Sequence, residues 1–424
     1  MKSLDISIQD MSKMEGHADL SVKVRNGIVQ EVKIKLMENK RFFTQAIRNK
    51  PVQAIPQLVA RICGTCSIAH TLCSIKAIEN GLGIEPSEQA MNLKRLTMYG
   101  LMIRDHALHS YIFSLPDVFS KDSVLDFEGD KTKFLYDAFD IKRAGNKLST
   151  IAAGRAVHAP FPVIGGFSKT PSQKELKGIL PELEKAREKI FSILDVYNEC
   201  EINYPRDTNF TAMCSDQFDF LSGSIKTTSG LSFEEEEYGA LLSDVALPFS
   251  QALAYTFCGK PYMVGALARI NLNKNALHKE TKRDAKKYLQ RFPSKNIFHN
   301  NLAQCIEILH CIDHASEIIE SADFSEEKPP EIPRKECNGE ATIEAPRGTL
   351  YYELSIAGNI VKHARIVVPT QQNQVNMEYD VKNLVQNSLK TMNKKEIEYA
   401  IEKLIRAYDP CISCASHFLK VRWV

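Results

Sequence analysis

Two cysteine pairs stand near opposite ends of the chain, Cys63-Gly64-Thr65-Cys66 and Cys411-Ile412-Ser413-Cys414. Each is followed a few residues later by a histidine, His70 in the first case and His417 in the second. Two thiolates at C-x-x-C spacing fit neighbouring positions on one soft metal, so two such pairs can supply a four-sulfur site. The plainest occupant is a structural zinc ion. Structural zinc sites usually close over short spacings, however, and these pairs are separated by most of the sequence. Zinc also does not require the particular residues that surround the thiols here: Arg61, Gly64, His70, Asp409, Pro410 and His417. A fold that joins both ends of so long a chain is built around what they bind.

The elements that must position these thiols are those of an ordinary globular protein. The chain has 424 residues, 44% of them hydrophobic and 25% charged, which is ample for a large core. With a formal net charge of +2 and no basic block, nucleic acid is a poor partner. The N-terminus lacks the apolar stretch of a signal peptide, twin arginines are absent, and no run reaches membrane-spanning length. These features predict a cytoplasmic protein, in which eleven cysteines read as free thiols and metal ligands rather than disulfides.

Leu20, Val22 and Val24 alternate, Asn26-Gly27 signals a tight turn, and Val32, Ile34 and Leu36 alternate back, which predicts a β-hairpin. After the first cysteine pair, Ser87 can cap a long helix carrying Leu93, Leu96, Leu101 and Leu108. Asp105 and His109 share one face of it, and His106 points elsewhere. The middle of the chain is less periodic. Residues 154–158 and 165–167 read as tight loops near a packed centre, and Leu183, Ala186, Ile190 and Leu194 as an amphipathic helix. Glu234 to Glu237 reads as a solvated face, and 325–330 as a surface linker. A further helix carries Leu302, Ile306, Leu309, Ile312 and Ile319; its amphipathic pattern explains His310 and His314 without a second metal. A second hairpin follows Gly348, turning at Gly358-Asn359. Helical runs from Val381 to Leu389 and Ile397 to Ile405 then lead into Asp409.

Together these motifs identify a resemblance. R-x-C-G-x-C-x-x-x-H from Arg61 to His70, with D-P-C-x-x-C-x-x-H from Asp409 to His417, resembles the signature of the large subunit of nickel–iron hydrogenases. Glu15-Gly16-His17, Arg41-Phe42-Phe43, Arg104-Asp105-His106 with His109, Glu344-Ala345-Pro346-Arg347-Gly348 and Val368-Pro369-Thr370 also match, so the likeness spans essentially the whole chain. It is most similar to the cytoplasmic, multi-subunit branch of sulfhydrogenase type. The expected architecture is α+β and mainly helical, with long helices around a buried bimetallic site. One small peripheral sheet would combine the N-terminal strands with those after Gly348. A single large-subunit domain would cover 1–424: a β-rich part (1–60), the first cysteine pair and helix (61–116), a helical middle (117–340), a hairpin, helices and second cysteine pair (341–417), and a cleavable tail (418–424).

The resemblance also implies roles. Cys63 and Cys411 would be terminal thiolates on nickel, and Cys66 and Cys414 would bridge nickel to an iron carrying carbon monoxide and cyanide. Soft thiolates suit nickel, and they must be deprotonated to bind it. Dihydrogen offers side chains no handle, so a Lewis-acidic metal must polarise it before a base takes a proton. The candidate bases are the Cys411 thiolate and the Arg347 guanidine, although arginine is normally locked as a cation. Asp105 and Asp409 would fix Arg347, Pro346 and Thr370 would face the iron's small ligands, and Glu15 would start the proton exit. His417 would hold a magnesium-like ion. Relatives place a glutamate after the Arg-Phe-Phe motif to help bind that ion, and this chain has Thr44 there.

Electrons released from H2 need a relay, and the remaining cysteines, Cys73 to Cys337, form no further C-x-x-C; no G-x-G-x-x-G loop is present either. The implied partners are therefore an iron–sulfur small subunit and flavin- or nicotinamide-type electron-transfer subunits. A maturation protease and nickel-insertion factors are implied as well. Two other readings are a non-catalytic interaction subunit stabilised by zinc, and a relative from the quinone side of a respiratory complex. The latter shares the fold but lacks the nickel ligands, and all four cysteines are present here.

Overall fold

The computed structural model describes residues 3–36, 42–250 and 252–416. Arg41, His417 and the tail at 418–424 lie outside the described residues. The architecture is α+β and mainly helical, and one buried apolar cluster runs from Ile6 to Ala415. No described helix is long and apolar enough to cross a membrane.

Strands β1 (Leu4–Ile8), β2 (Ala18–Arg25) and β3 (Ile28–Leu36) form an antiparallel sheet in chain order, with the expected turn at Asn26-Gly27. Leu20, Val22, Val24, Ile34 and Leu36 face the core. After the first cysteine pair come α1 (Ser67–Leu82) and α2 (Glu88–Ala107). The Ser87 hydroxyl accepts from Ala90 N–H, the predicted cap of α2. Helix α1 has almost no exposed face, so it carries no amphipathic stripe and its sequence gives no helical period. A π-helical turn, Leu108–Ser114, ends α2, an irregularity often found next to functional residues.

Helix α3 (Lys133–Ala153) crosses α2 where Gly100 meets Gly145. A Cβ on Gly100 would sit 2.7 Å from the Gly145 carbonyl oxygen and closer still to the Ser149 hydroxyl, so the two helices approach closely at the two glycines. Helix α4 (Leu180–Glu199) buries Leu183, Ala186, Ile190 and Leu194 as its period predicts. The expected helical middle is interrupted. Asn209–Cys214, Ser224–Thr227, Ser232–Phe233 and Tyr262–Met263 form a four-stranded sheet, made of short strands that give little alternation to read. The acidic run is not wholly solvated either. Glu235 pairs with Lys76 at 2.5 Å and accepts from Thr342 N–H, because it packs beside α1. Helices α5 (Ala266–Asn273) and α6 (Asn300–Ser321) follow. Residues 325–330 form no helix or strand, and Ser325 and Glu327 are tied to Gln89 and Ser87.

The second sheet differs from expectation in two ways. It has three strands, β4 (Cys337–Ala345), β5 (Gly348–Ala357) and β6 (Ile360–Val367), and it is separate from the N-terminal sheet. It is also not peripheral. Most of β5 is buried on both faces, so it reads as a hydrophobic run rather than an edge hairpin. Ala345 pairs with Gly348, which makes Pro346-Arg347 a two-residue hairpin tip. Gly348 takes φ 128°, a value that excludes other residues there.

Helix α7 (Pro369–Ser388) starts well before the predicted Val381, with Val368 as its N-cap. Its first turns bury Gln371, Gln372, Asn373, Gln374 and Asn376, so no apolar period marks them. Their amides bond distant backbone instead: Gln372 Nε2 donates to Thr349 O at 2.6 Å and Gln374 Nε2 to Ile34 O at 3.1 Å. Helix α8 (Lys394–Ala407) ends in a left-handed residue at Asp409, with φ 54°, whose N–H donates to Arg406 O at 2.8 Å.

Candidate metal centre

The turn at Asp409 delivers Cys411 and Cys414 onto the first cysteine pair at the start of α1. All four sulfurs are buried and lie within 4.8 Å of one another. Cys63 and Cys411 are 3.5 Å apart, Cys66 and Cys414 2.9 Å, and Cys411 and Cys414 3.0 Å. Hydrogen bonds from Cys411, Cys414 and Cys66 hold the Cys63 thiol well below its ordinary value, while burial keeps Cys411 and Cys414 well above theirs.

Each side of the cluster is lined differently. On one side Glu15 forms a bridge with Cys411, and its carbonyl accepts from Ile412 N–H at 2.9 Å. Its carboxylate accepts from Ser413 N–H at 2.9 Å and lies 3.1 Å from Cys411 Sγ and 3.8 Å from Cys63 Sγ. Burial and the neighbouring Cys63 charge raise its pKa. On the other side is a small pocket of about 10 Å³, bounded by Cys66, Cys411 and Cys414 with Pro346, Arg347 and Thr370.

Arg347 reaches this pocket from the hairpin tip. Its Nη1 lies 2.5 Å from Asp105 Oδ2 and its Nη2 3.0 Å from Asp409 Oδ1, all of them buried. Burial alone would lower its pKa, but the two carboxylates outweigh that and leave it well above the ordinary value. The guanidinium is therefore a fixed cation. Asp105 and His109 share a face as predicted, with His109 Nε2 at 3.9 Å from Asp409 Oδ1, and Gln304 Nε2 donates to Asp409 Oδ2 at 2.9 Å. His106, on another face of α2, meets Glu307 at 2.8 Å. Thr370, at the N-terminus of α7, accepts from Cys411 N–H at 2.9 Å.

His70 faces Cys414, with its Nε2 3.6 Å from that sulfur and its Nδ1 2.7 Å from the Tyr352 hydroxyl. Burial lowers its pKa to about 4, so the ring is neutral at ordinary pH. Among the described residues the four cysteines are the only cluster suited to a metal. His310 is engaged at both nitrogens, by His278 N–H at 3.1 Å and Phe218 O at 2.9 Å, which leaves it no lone pair for one.

Two buried arginines escaped the sequence reading. Arg104 was read only as part of a motif; its Nη2 donates to Thr65 O at 2.8 Å and so ties the first cysteine loop to α2. Arg269, on α5, contacts the backbone of the Pro346-Arg347 tip. The available signal was a single arginine in the otherwise apolar start of α5, Ala266-Leu267-Ala268-Arg269-Ile270.

Four convergent sulfurs are the donor set that a soft transition metal takes, and a small pocket adjoins Cys66, Cys411 and Cys414. The residues present fit a thiolate-held nickel centre. Comparisons with known proteins agree. The sequence model of the family described as nickel-dependent hydrogenase matches residues 41–138 and 234–417. Sulfhydrogenase 1 subunit alpha of Pyrococcus furiosus is 30% identical, over 99% of this chain and 99% of its own length. Sulfhydrogenase 2 subunit alpha of the same organism is 29% identical over 98% and 100%. An H2-reduced NAD+-reducing [NiFe]-hydrogenase shares the fold, with a TM-score of 0.87 at 22% identity, covering 98% of this chain and 99% of that one. Neither a zinc-stabilised interaction subunit nor a quinone-side relative finds support in these matches. The chain belongs to the nickel-dependent hydrogenase family as a large subunit, an oxidoreductase that acts on H2.

Proposed function

We propose that this chain is the catalytic subunit of a cytoplasmic, heteromeric hydrogenase that oxidises H2 reversibly and heterolytically and passes the electrons to an iron–sulfur partner. Cys63, Cys66, Cys411 and Cys414 would hold the nickel–iron group, with Cys63 and Cys411 on nickel alone and Cys66 and Cys414 on the side of an iron that would carry carbon monoxide and cyanide. The observation that carries this reading is the meeting of the four sulfurs between a carboxylate and a fixed guanidinium. The assignment of pairs is the one the family resemblance implies. Cys66, Cys411 and Cys414 border the pocket, and Cys63 lies beside Thr65 and Glu15.

When bound, the nickel–iron group supplies the Lewis acidity that polarises H2. The remaining steps belong to the protein. Cys411 Sγ takes the proton, and Glu15 Oε2, 3.1 Å away and half-buried, carries it towards solvent. Arg347 stays protonated between Asp105 and Asp409 and presents positive charge to the pocket. Because Thr370 accepts from Cys411 N–H, its own proton is free to serve a ligand in the pocket. Pro346 walls the same pocket without competing donors.

The electrons need a carrier close by. Gly64 is exposed beside the first cysteine pair, and Val157, 40% exposed, borders it. This patch brings the surface to within one residue of Cys63 and suits a docked iron–sulfur subunit, with flavin- or nicotinamide-type subunits beyond. The test is H2-dependent reduction of a soluble dye by the metal-loaded chain with and without its co-purifying partners. Turnover is expected only with an iron–sulfur partner; sustained turnover by the isolated chain would refute the relay.

A further inference from the structure

Arg269 is 1% exposed, and no role in the hydrogenase centre has been given to it above beyond its contact with the tip. A buried guanidinium is costly unless all its donors are matched. Here they are. Nε and Nη2 form a fork on Glu307, at 2.6 Å and 2.7 Å. Nη1 reaches Glu344 at 2.8 Å. The remaining donors go to backbone, with Nη1 at 3.0 Å from Ala345 O and Nη2 at 3.0 Å from Pro346 O.

Those two carbonyls belong to the peptides leading into the hairpin tip. In a two-residue hairpin the carbonyl of the first tip residue, here Pro346 O, usually faces water, and a buried carbonyl must find a donor. A lysine has no planar fork and could not serve two carboxylates and two carbonyls in this geometry. Glu307 also contacts His106 Nε2 at 2.8 Å, and His106 is the sequence neighbour of Asp105, which holds the far end of Arg347. One buried arginine thus joins the backbone from which Arg347 projects to the helix that receives its guanidinium.

We propose that Arg269 is the positioning residue for Arg347, holding the Ala345 and Pro346 carbonyls in register with α2 so that the guanidinium meets Asp105, Asp409 and the pocket together. The inference rests on the role given to Arg347 in the proposed function. A displacement of about 1 Å can cost on the order of a hundredfold in turnover. Both routes from Arg269, through the tip and through Glu307 and His106 to α2, end on Arg347 and its partner Asp105, so its effect should vanish once Arg347 is altered.

The experiment is a double-mutant cycle in the assembled, metal-loaded enzyme. Arg269→Lys is expected to lower kcat for H2-dependent dye reduction at least about tenfold, with KM for H2 and nickel content near native. Arg347→Lys lowers kcat on its own, and adding Arg269→Lys to it should cause no further fall. A crystal structure of Arg269→Lys should show the tip displaced and at least one Arg347 ion pair broken. Losses that multiply in the double variant, a native kcat for Arg269→Lys, or an unmoved tip would each overturn the inference. Full activity in Arg347→Lys alone would remove the Arg347 role itself, a distinct outcome that overturns both. If Arg269→Lys does not accumulate as folded enzyme, the isosteric Glu307→Gln carries the same cycle with the same expected non-additivity.

Discussion

Glu15 Oε2 lies 3.1 Å from Cys411 Sγ, although the two residues come from opposite ends of the chain. The contact is held by backbone: Glu15 O accepts from Ile412 N–H, and Ser413 N–H donates to the carboxylate. A carboxyl group fixed this way can take a proton from the thiol and release it on the half-exposed side. Glu15→Gln keeps the shape and the Ser413 hydrogen bond but cannot carry a proton. Steady-state H2 oxidation should fall roughly a hundredfold or more, with nickel and iron content unchanged. Near-native turnover would show that protons leave by another route.

Arg347 is a cation in a planar fork between two carboxylates. Arg347→Lys preserves the charge but cannot span Asp105 and Asp409 together. Turnover should drop steeply while metal content stays close to native, measured by dye reduction and metal analysis on the same preparation. Unchanged activity would reduce the Pro346-Arg347 tip to a structural turn.

The crossing of α2 and α3 predicts the sign of a helix mutation that propensity alone gets wrong. Glycine to alanine inside a helix normally stabilises by about 1 kcal/mol. At Gly100 the new methyl group would sit 2.7 Å from the Gly145 carbonyl oxygen, and overpacking of this kind costs about 1–3 kcal/mol. Gly100→Ala should therefore be net destabilising, by up to about 2 kcal/mol in urea unfolding. A stabilised variant would mean that the two helices separate freely.

Glu378 on α7 has its pKa raised to about 7 by burial, although it accepts from Ile34 N–H at 3.0 Å and lies near Lys33. The folded form holds its proton more tightly than the unfolded chain does. Stability contributed by the protonated group is thus fully present below the ordinary carboxylate range and declines as pH rises towards 7. Glu378→Gln should remove that decline. It should stabilise the chain by on the order of 2 kcal/mol at pH 8 and change little at pH 4, by urea unfolding at the two values. Equal effects at both pH values would show that the carboxylate is not buried in solution.

The sequence made the metal centre legible because its ligands must be particular residues at fixed spacing, and Cys63, Cys66, Cys411 and Cys414 meet as read. The N-terminal hairpin and helix α4 were legible because each buries one face and so leaves a period. Helix α1 and the first turns of α7 were not. One is buried all round, and the other spends its buried positions on amides that bond distant backbone. The second sheet was misplaced to the periphery for a similar reason, since a strand buried on both faces does not alternate. Asp409 shows the converse: a helix end that would suit glycine carries an aspartate in left-handed conformation, because Arg347 needs the carboxylate there. Arg269 had no spacing rule to reveal it, since its partners lie on α6 and at the end of β4.

The most direct test of the account is metal analysis of the enzyme purified without added metal, with an infrared scan of the same sample. Nickel is expected, with at least one iron for each nickel and absorption bands of metal-bound carbon monoxide and cyanide, and Cys411→Ser should abolish nickel retention. Zinc filling the four-sulfur site, with no nickel and no such bands in an otherwise folded native protein, would contradict it.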